Sequence, residues 1–358
     1  MLKFYESHFE EYCIATERCN LHPDLEVVFA NFPKNIAQFS NMIIHGPSGI
    51  GKYSQTLKLL KQYSPTELKY EKKITVQTDK HNYIYHISDI HYEVDMSLLG
   101  CNSKLLWQEV FMQIIDIVSV KQDKIGIILC KNFHSIHTEL LEIFYSYIQQ
   151  YNHPHTNIQI KFIILADHIS FIPNTILNSC YILSIARPTR DRYSQILKYN
   201  HRPQQPVRQE LDNSKVDKIM ETIRRDQIMN IKEIRSLAIL DDPANIPTDI
   251  FNVICDNIIQ EMVNHTKIVI TSFRDTIYDI LIYNLDIGDV LWYILSYFIK
   301  KPSMDPTFTI EPAVITDITK QIFTFLKQYN NNYRPIYHLE SIFFYFITKI
   351  YKYELGHK

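Results

Sequence analysis

Gly46-Pro47-Ser48-Gly49-Ile50-Gly51-Lys52-Tyr53 gathers three of the chain's seven glycines into six residues. It fits the phosphate-binding loop pattern G-x-x-x-x-G-K-[ST] at every position but the last. In such a loop the glycines let successive backbone N–H groups curl round a polyphosphate. The lysine, here Lys52, reaches the outer phosphates, and the following helix offers its positive end. The flanks suit that reading: Asn41-Met42-Ile43-Ile44-His45 reads as a strand, and Ser54-Gln55-Thr56-Leu57-Lys58-Leu59-Leu60 as a helix. Tyr53 is the departure. The motif's Ser/Thr hydroxyl ligates Mg²⁺, and a phenol on a rigid ring does not take its place.

The surrounding sequence has the layout of a parallel α/β unit. Met42–His45, Tyr83–Ile87, Ile125–Cys130, Ile160–Ala166 and Tyr181–Ile185 read as strands. Helices are expected near 52–63, 103–118, 137–151 and 173–179. The unbroken apolar runs at 125–130 and 160–165 suit central strands covered on both faces. Pro188 closes this unit. Residues 189–240 read as helices interrupted at Asn200–Pro206, and Asp241–Pro247 leads into a third, helical part. There Phe273, Ile277, Ile280 and Leu281 recur at helical spacing, as do Ile342, Phe343, Tyr345, Phe346 and Ile350. The expected domains are therefore 1–187, 188–243 and 244–358.

At 358 residues the chain is long enough for two or three cores. Its 37 Lys+Arg against 39 Asp+Glu make no global case for nucleic acid. Residues 187–235 hold twelve Lys/Arg against seven Asp/Glu, which suits either a phosphate-facing segment or an ordinary solvated helix face. The six scattered cysteines read as reduced thiols. Cys13 and Cys19 with His22 lack the paired spacing of a zinc site. The N-terminus shows no apolar signal stretch. The longest apolar region, 277–299, is interrupted by Asp279, Asn284, Asp286 and Asp289 and reads as a buried helix pair, with no membrane partner expected.

A hydrolysing P-loop site also needs an acid after a buried strand, for Mg²⁺ and the attacking water. The strand 127–130 runs instead into Lys131-Asn132-Phe133-His134. Lys131 and His134 are either solvated strand-end residues, or Lys131 pairs with phosphate in the metal's place. At the next strand end Asp167 puts an anion where a neutral group would meet the terminal phosphate. No catalytic residue and no metal ligand is assigned.

With loop, strand spacing and three-part layout in hand, the chain resembles clamp-loader small subunits of the AAA+ class, specifically the replication factor C type with a weakened ATPase site. Four stretches carry the likeness: Asn41 to Lys52; His86 to Val94 followed by Trp107-Gln108-Glu109-Val110; Arg274 to Leu281; and Arg334-Pro335-Ile336-Tyr337-His338-Leu339-Glu340-Ser341. The resemblance implies an α/β P-loop AAA+ domain with a parallel sheet, then a small helical lid domain, then an all-α collar domain for oligomerisation. It implies ATP or ADP on Gly46, Pro47, Ser48, Gly49, Ile50, Gly51, Lys52 and Tyr53, with Lys232 in the place of the lid's phosphate-sensing arginine. Its partners would be the other subunits of a hetero-pentamer, a sliding clamp, and primed DNA through the complex. The location would be a nucleus, or a cytoplasmic viral replication site if the chain is viral.

Departures temper the expected activity. Asn178-Ser179-Cys180 puts Ser179 where the family carries its arginine finger, and the helix over 139–151 has none of the family's basic DNA-tracking residues. Phe111, Met112, Ile115 and Val118 read either as core or as the family's clamp contact. The expectation is a largely structural, non-hydrolysing subunit. The alternatives are an active P-loop ATPase or nucleotide kinase, with Asp89, Asp116 or Asp123 as stand-in carboxylates, or an interaction scaffold whose nucleotide site is empty.

Overall fold

The computed structural model describes residues 8–77, 82–100, 102–152, 156–198, 250–304, 308–329 and 334–352. The chain divides into two compact units, Met1–Asn245 and Ile246–Lys358. The expected lid falls mostly in 199–249, outside the described residues, as do Lys232 and Cys101.

The first unit holds a seven-stranded sheet. Its strands are β1 (Met42–His45), β2 (Lys72–Gln77), β3 (Asn82–Ile87), β4 (His91–Asp95), β5 (Ile125–Lys131), β6 (Gln159–Ala166) and β7 (Tyr181–Ser184), in spatial order β2-β3-β4-β5-β6-β1-β7. Pairings from β4 through β7 are parallel, whereas β2–β3 and β3–β4 are antiparallel. The expected parallel sheet is thus present from β4 to β7, with an antiparallel hairpin added at one edge. The tight turn between β3 and β4, closed by the Ser88 N–H to His91 carbonyl bond of 2.8 Å, reverses the chain without a crossover helix. Strands β2 and β4 are not expected from the sequence, because their polar residues hide the apolar pattern.

Alternation along the central strands builds two cores. Ile43, Ile128, Cys130, Phe162 and Ile164 face α4 (Ser103–Ser119), α5 (Thr138–Tyr151) and α6 (Asn174–Asn178). Met42, Ile44, Ile127, Leu129, Ile163 and Leu165 face α1 (Phe9–Arg18), α2 (Asp24–Ala30) and α3 (Lys52–Lys61). A further helix, α7 (Arg190–Lys198), follows β7. This is an α/β domain with a phosphate-loop-type turn between β1 and α3, and the loop strand β1 lies between two strands that come later in sequence.

The second unit is helical among its described residues: α8 (Ile250–Val263), α9 (Ile270–Ile282), α10 (Ile287–Met304), α11 (Pro312–Tyr329) and α12 (Pro335–Ile350). The expected stripes are its core, with Phe273, Ile277, Ile280, Ile342, Phe343, Phe346 and Ile350 buried. Pro335 opens α12 at a position where the missing N–H costs nothing. No described helix is long and apolar enough to cross a membrane.

Candidate functional site

The loop Gly46–Gly51 links the end of β1 to α3, and two of its glycines are required by geometry. A Cβ on Gly46 would stand 2.1 Å from the Ile185 carbonyl oxygen, so only a bare backbone passes there. Gly51 caps α3 at φ 94°, a left-handed conformation that side chains resist. The first turn of α3 leaves its N–H groups without intrahelical partners. Loop and helix end form a cradle suited to phosphate. Behind it, His22 Nε2 donates to the Ile50 carbonyl at 2.8 Å. Burial, opposed only in part by that bond, holds the His22 imidazole pKa below its ordinary value.

Lys52 is turned inward. Its ammonium donates to the carbonyls of Gly46 (2.6 Å) and Pro47 (2.8 Å) and to Asp167 Oδ1 (2.6 Å), with both side chains of the ion pair under 15% exposed. Asp167 lies just past β6, and its other oxygen is 3.6 Å from His134 Nε2. The loop's phosphate-seeking cation therefore already has an anion, and a ligand phosphate must displace Asp167 from it.

Tyr53 is committed in the same way. Its hydroxyl donates to Glu93 Oε1 at 2.7 Å. Glu93 also accepts from His91 Nε2 at 3.3 Å, and its second oxygen pairs with Lys131 Nζ at 3.4 Å. Ser88 Oγ lies 2.5 Å from His91 Nδ1 and accepts the Ile90 and His91 N–H groups, so it donates to the ring and leaves the proton on Nε2. The Lys131 ammonium sits 4.5 Å from the centre of the Tyr53 ring. Burial pushes the Tyr53 phenol well above its ordinary pKa, and the Glu93 charge and hydrogen bond add to it, so it stays an O–H donor. Burial alone would raise the Glu93 carboxyl, but the His91 hydrogen bond, the Lys131 charge and the Tyr53 hydroxyl outweigh it and hold it low.

This corrects the expectation that no carboxylate stands near the end of β5: the neighbouring strand supplies two. Glu93 and Asp95 share a face of β4, and Asn132 Nδ2 donates to both Asp95 oxygens at 3.0 Å. The signal was there in His91-Tyr92-Glu93-Val94-Asp95, whose alternation puts three polar side chains on one side of a strand. Lys131, read as a solvated residue or a phosphate partner, pairs with Glu93. Mg²⁺ does not fit this set: the motif hydroxyl is a phenol held by a carboxylate, and every oxygen of that carboxylate has a donor. A nucleotide's phosphates fit the backbone cradle.

Beside the loop, a cleft of about 640 Å³ opens between Leu21–Leu25 and Ser184–Gln195, lined among others by His22, Pro23, Ile185, Pro188 and Arg192. That volume is ample for a nucleoside. His22 and Ile185 belong to both cleft and cradle, so the two are continuous.

The remaining candidates lie elsewhere. Asp89 precedes β4, and Asp116 and Asp123 precede β5, so all three sit at the opposite end of the parallel strands from the loop. Asp89 accepts from Ser64 Oγ and Thr66. Phe111, Ile115 and Val118 are core residues; of the expected clamp-facing stripe only Met112 is exposed. Trp107, Phe144 and Phe162 fill the space between that helix and the sheet. Ser179 bonds the Ile176 carbonyl. Among the described residues no cluster of His, Cys, Asp and Glu is arranged to hold a metal, and five cysteines are free thiols.

No family model matches the sequence, and no curated protein matches it. Among solved structures the chain is similar to three variants of Thermotoga maritima RuvB. Identity is 12%, 13% and 14%, over 90%, 88% and 95% of this chain and 87%, 85% and 92% of theirs, with TM-scores of 0.39, 0.39 and 0.41. Superpositions that loose leave the fold resting on the strand order and the loop.

Proposed function

We propose that this chain is a nucleotide-holding, non-hydrolysing subunit of a multi-subunit P-loop assembly, and that the assembly is a clamp loader. The observation that carries the first part is the internal neutralisation of the site. Lys52 is paired with Asp167, and Tyr53 and Lys131 with Glu93, beside an intact backbone cradle. Hydrolysis requires a positioned water, a base and charge stabilisation at the leaving phosphate. Among the described residues, the buried carboxylate nearest the loop is Glu93, and it is engaged by Tyr53, His91 and Lys131 and not free to act as that base.

The clamp-loader reading is supported by the sequence likeness. Two of the stretches that carry it meet in the second unit, where Arg274 of α9 pairs with Glu340 of α12, with the guanidinium 5.8 Å from the Tyr337 ring centre. That unit also exposes Ile282, Trp292, Phe323 and Tyr337, each about half exposed or more, as an assembly part would.

The test joins turnover to assembly. The isolated full chain is expected to release no phosphate from ATP above background, with or without Mg²⁺. It is also expected to co-elute with its sister subunits and the clamp on size-exclusion chromatography. Rapid turnover removed by Lys52→Ala would establish the ATPase reading instead. A chain that stays a monomer with those subunits is no clamp-loader part.

The scaffold reading has one observation of its own, the Asp167 carboxylate already seated on Lys52. An absence of any nucleotide binding favours it.

A further inference from the structure

The geometry points to metal-free nucleotide binding, with the Lys131 ammonium standing where a P-loop protein holds Mg²⁺. The inference rests on the nucleotide-holding reading above and specifies the chemistry of that site.

In a P-loop, the side chain after the lysine and the acid at the end of a nearby buried strand hold the cation between them. Here those two positions are Tyr53 and Lys131, and they touch each other. The ammonium lies 4.5 Å from the Tyr53 ring centre and 3.4 Å from Glu93 Oε2. The phenol's only donor proton goes to Glu93 Oε1. A divalent ion entering this space would meet a fixed positive charge. It would also have to strip Glu93 of its bonds from Tyr53 and His91, both made in a buried setting where a broken charged bond is costly. Phosphate oxygens would be attracted by the Lys131 ammonium, and the anion they must displace is Asp167 on Lys52. The Lys131 side chain is about one-third exposed, and an ammonium has three donors, so donors remain while one is spent on Glu93.

Charge accounting agrees. Lys52 with Asp167 and Lys131 with Glu93 form two neutral pairs. A metal-free nucleotide brings the negative charge that a rearranged Lys52 and Lys131 can meet, with the helix end adding its partial positive charge. Bound Mg²⁺ would stand beside the Lys131 ammonium, with the Glu93 carboxylate already engaged by Tyr53, His91 and Lys131.

The experiment is a titration of the full chain with N-methylanthraniloyl-ADP and -ATP, once in excess EDTA and once in excess Mg²⁺. The affinity is expected to be about tenfold or more higher in EDTA, because excess Mg²⁺ in solution holds the nucleotide that the site takes bare. Lys131→Met should weaken binding about tenfold in both, and Lys131→Arg should restore most of it, with melting temperatures recorded to show that each variant is folded. Equal or tighter binding in Mg²⁺ overturns the inference and leaves the nucleotide-holding reading standing. A folded Lys131→Met variant that binds like the parent also overturns it. Failure to bind either nucleotide in both conditions removes the nucleotide-holding reading itself. Mn²⁺ followed by paramagnetic resonance gives an independent readout, expected to show no ion retained with the nucleotide.

Discussion

Asp167 decides how tightly the cradle can hold a phosphate. It neutralises Lys52 at 2.6 Å and places a carboxylate where the ligand's negative charge must come. Asp167→Asn keeps the shape, removes the competing anion, and should tighten ADP binding about tenfold, worth about 1.4 kcal/mol. An unchanged affinity in a titration would show that phosphate does not meet this residue. His22 adds a pH dependence. Its pKa is lowered in the folded chain, chiefly by burial, so the unfolded chain binds the proton more readily. The stability it lends is complete above the ordinary imidazole value near 6.5 and is lost as pH falls from there toward the folded value. Melting temperature should therefore drop between about pH 7.5 and 5.5. The drop should be smaller in His22→Gln, as thermal unfolding at the two pH values will show.

The β1–loop–α3 element works because its backbone passes against the chain just beyond β7. Gly46→Ala puts a methyl group against a carbonyl oxygen, which neither backbone can yield without moving the loop or the β7 exit. We expect a loss of about 2–3 kcal/mol, read as a fall of roughly 5–10 °C in melting temperature, and nucleotide binding lost at temperatures where the variant is still folded. A variant that melts with the parent would mean that Gly46 does not lie against the Ile185 carbonyl. Strand β4 matters for another reason. Its alternation presents His91, Glu93 and Asp95 together, and this row meets Tyr53, Lys131 and Asn132 from neighbouring elements. The site is built across elements, none of which reads as functional alone.

For the whole molecule, each unit closes its own core, yet the helical unit keeps large apolar side chains in the open. Trp292 is 46% and Phe323 50% exposed. On the clamp-loader reading these faces meet other subunits. Trp292→Glu combined with Phe323→Glu should leave the isolated chain's melting temperature within about 2 °C, because exposed positions carry little folding energy. The same pair should abolish co-elution with partner subunits. Full retention of assembly would place the contact on some other surface.

The glycine-rich loop, the unbroken apolar strands and the helical stripes of the second unit were legible in the chain itself. Local geometry and burial period fix them: few residues other than glycine suit the turns at Gly46 and Gly51, and runs such as Ile125–Cys130 must be covered on both faces. Tyr53 and Lys131 could likewise be seen to break the metal site from residue type alone. Their partners could not. Glu93 lies 40 residues from Tyr53 and 38 from Lys131, and Asp167 lies 115 from Lys52. Such pairings depend on which strands lie side by side, and register follows from the packing of the whole sheet. The fate of the Phe111, Ile115 and Val118 stripe was open for the same reason, since an apolar helix face reads alike whether it meets a partner or its own sheet. Composition and period state what each segment must bury; only the folded sheet settles which charges finish next to each other, because opposite charges pair through space and not along the chain.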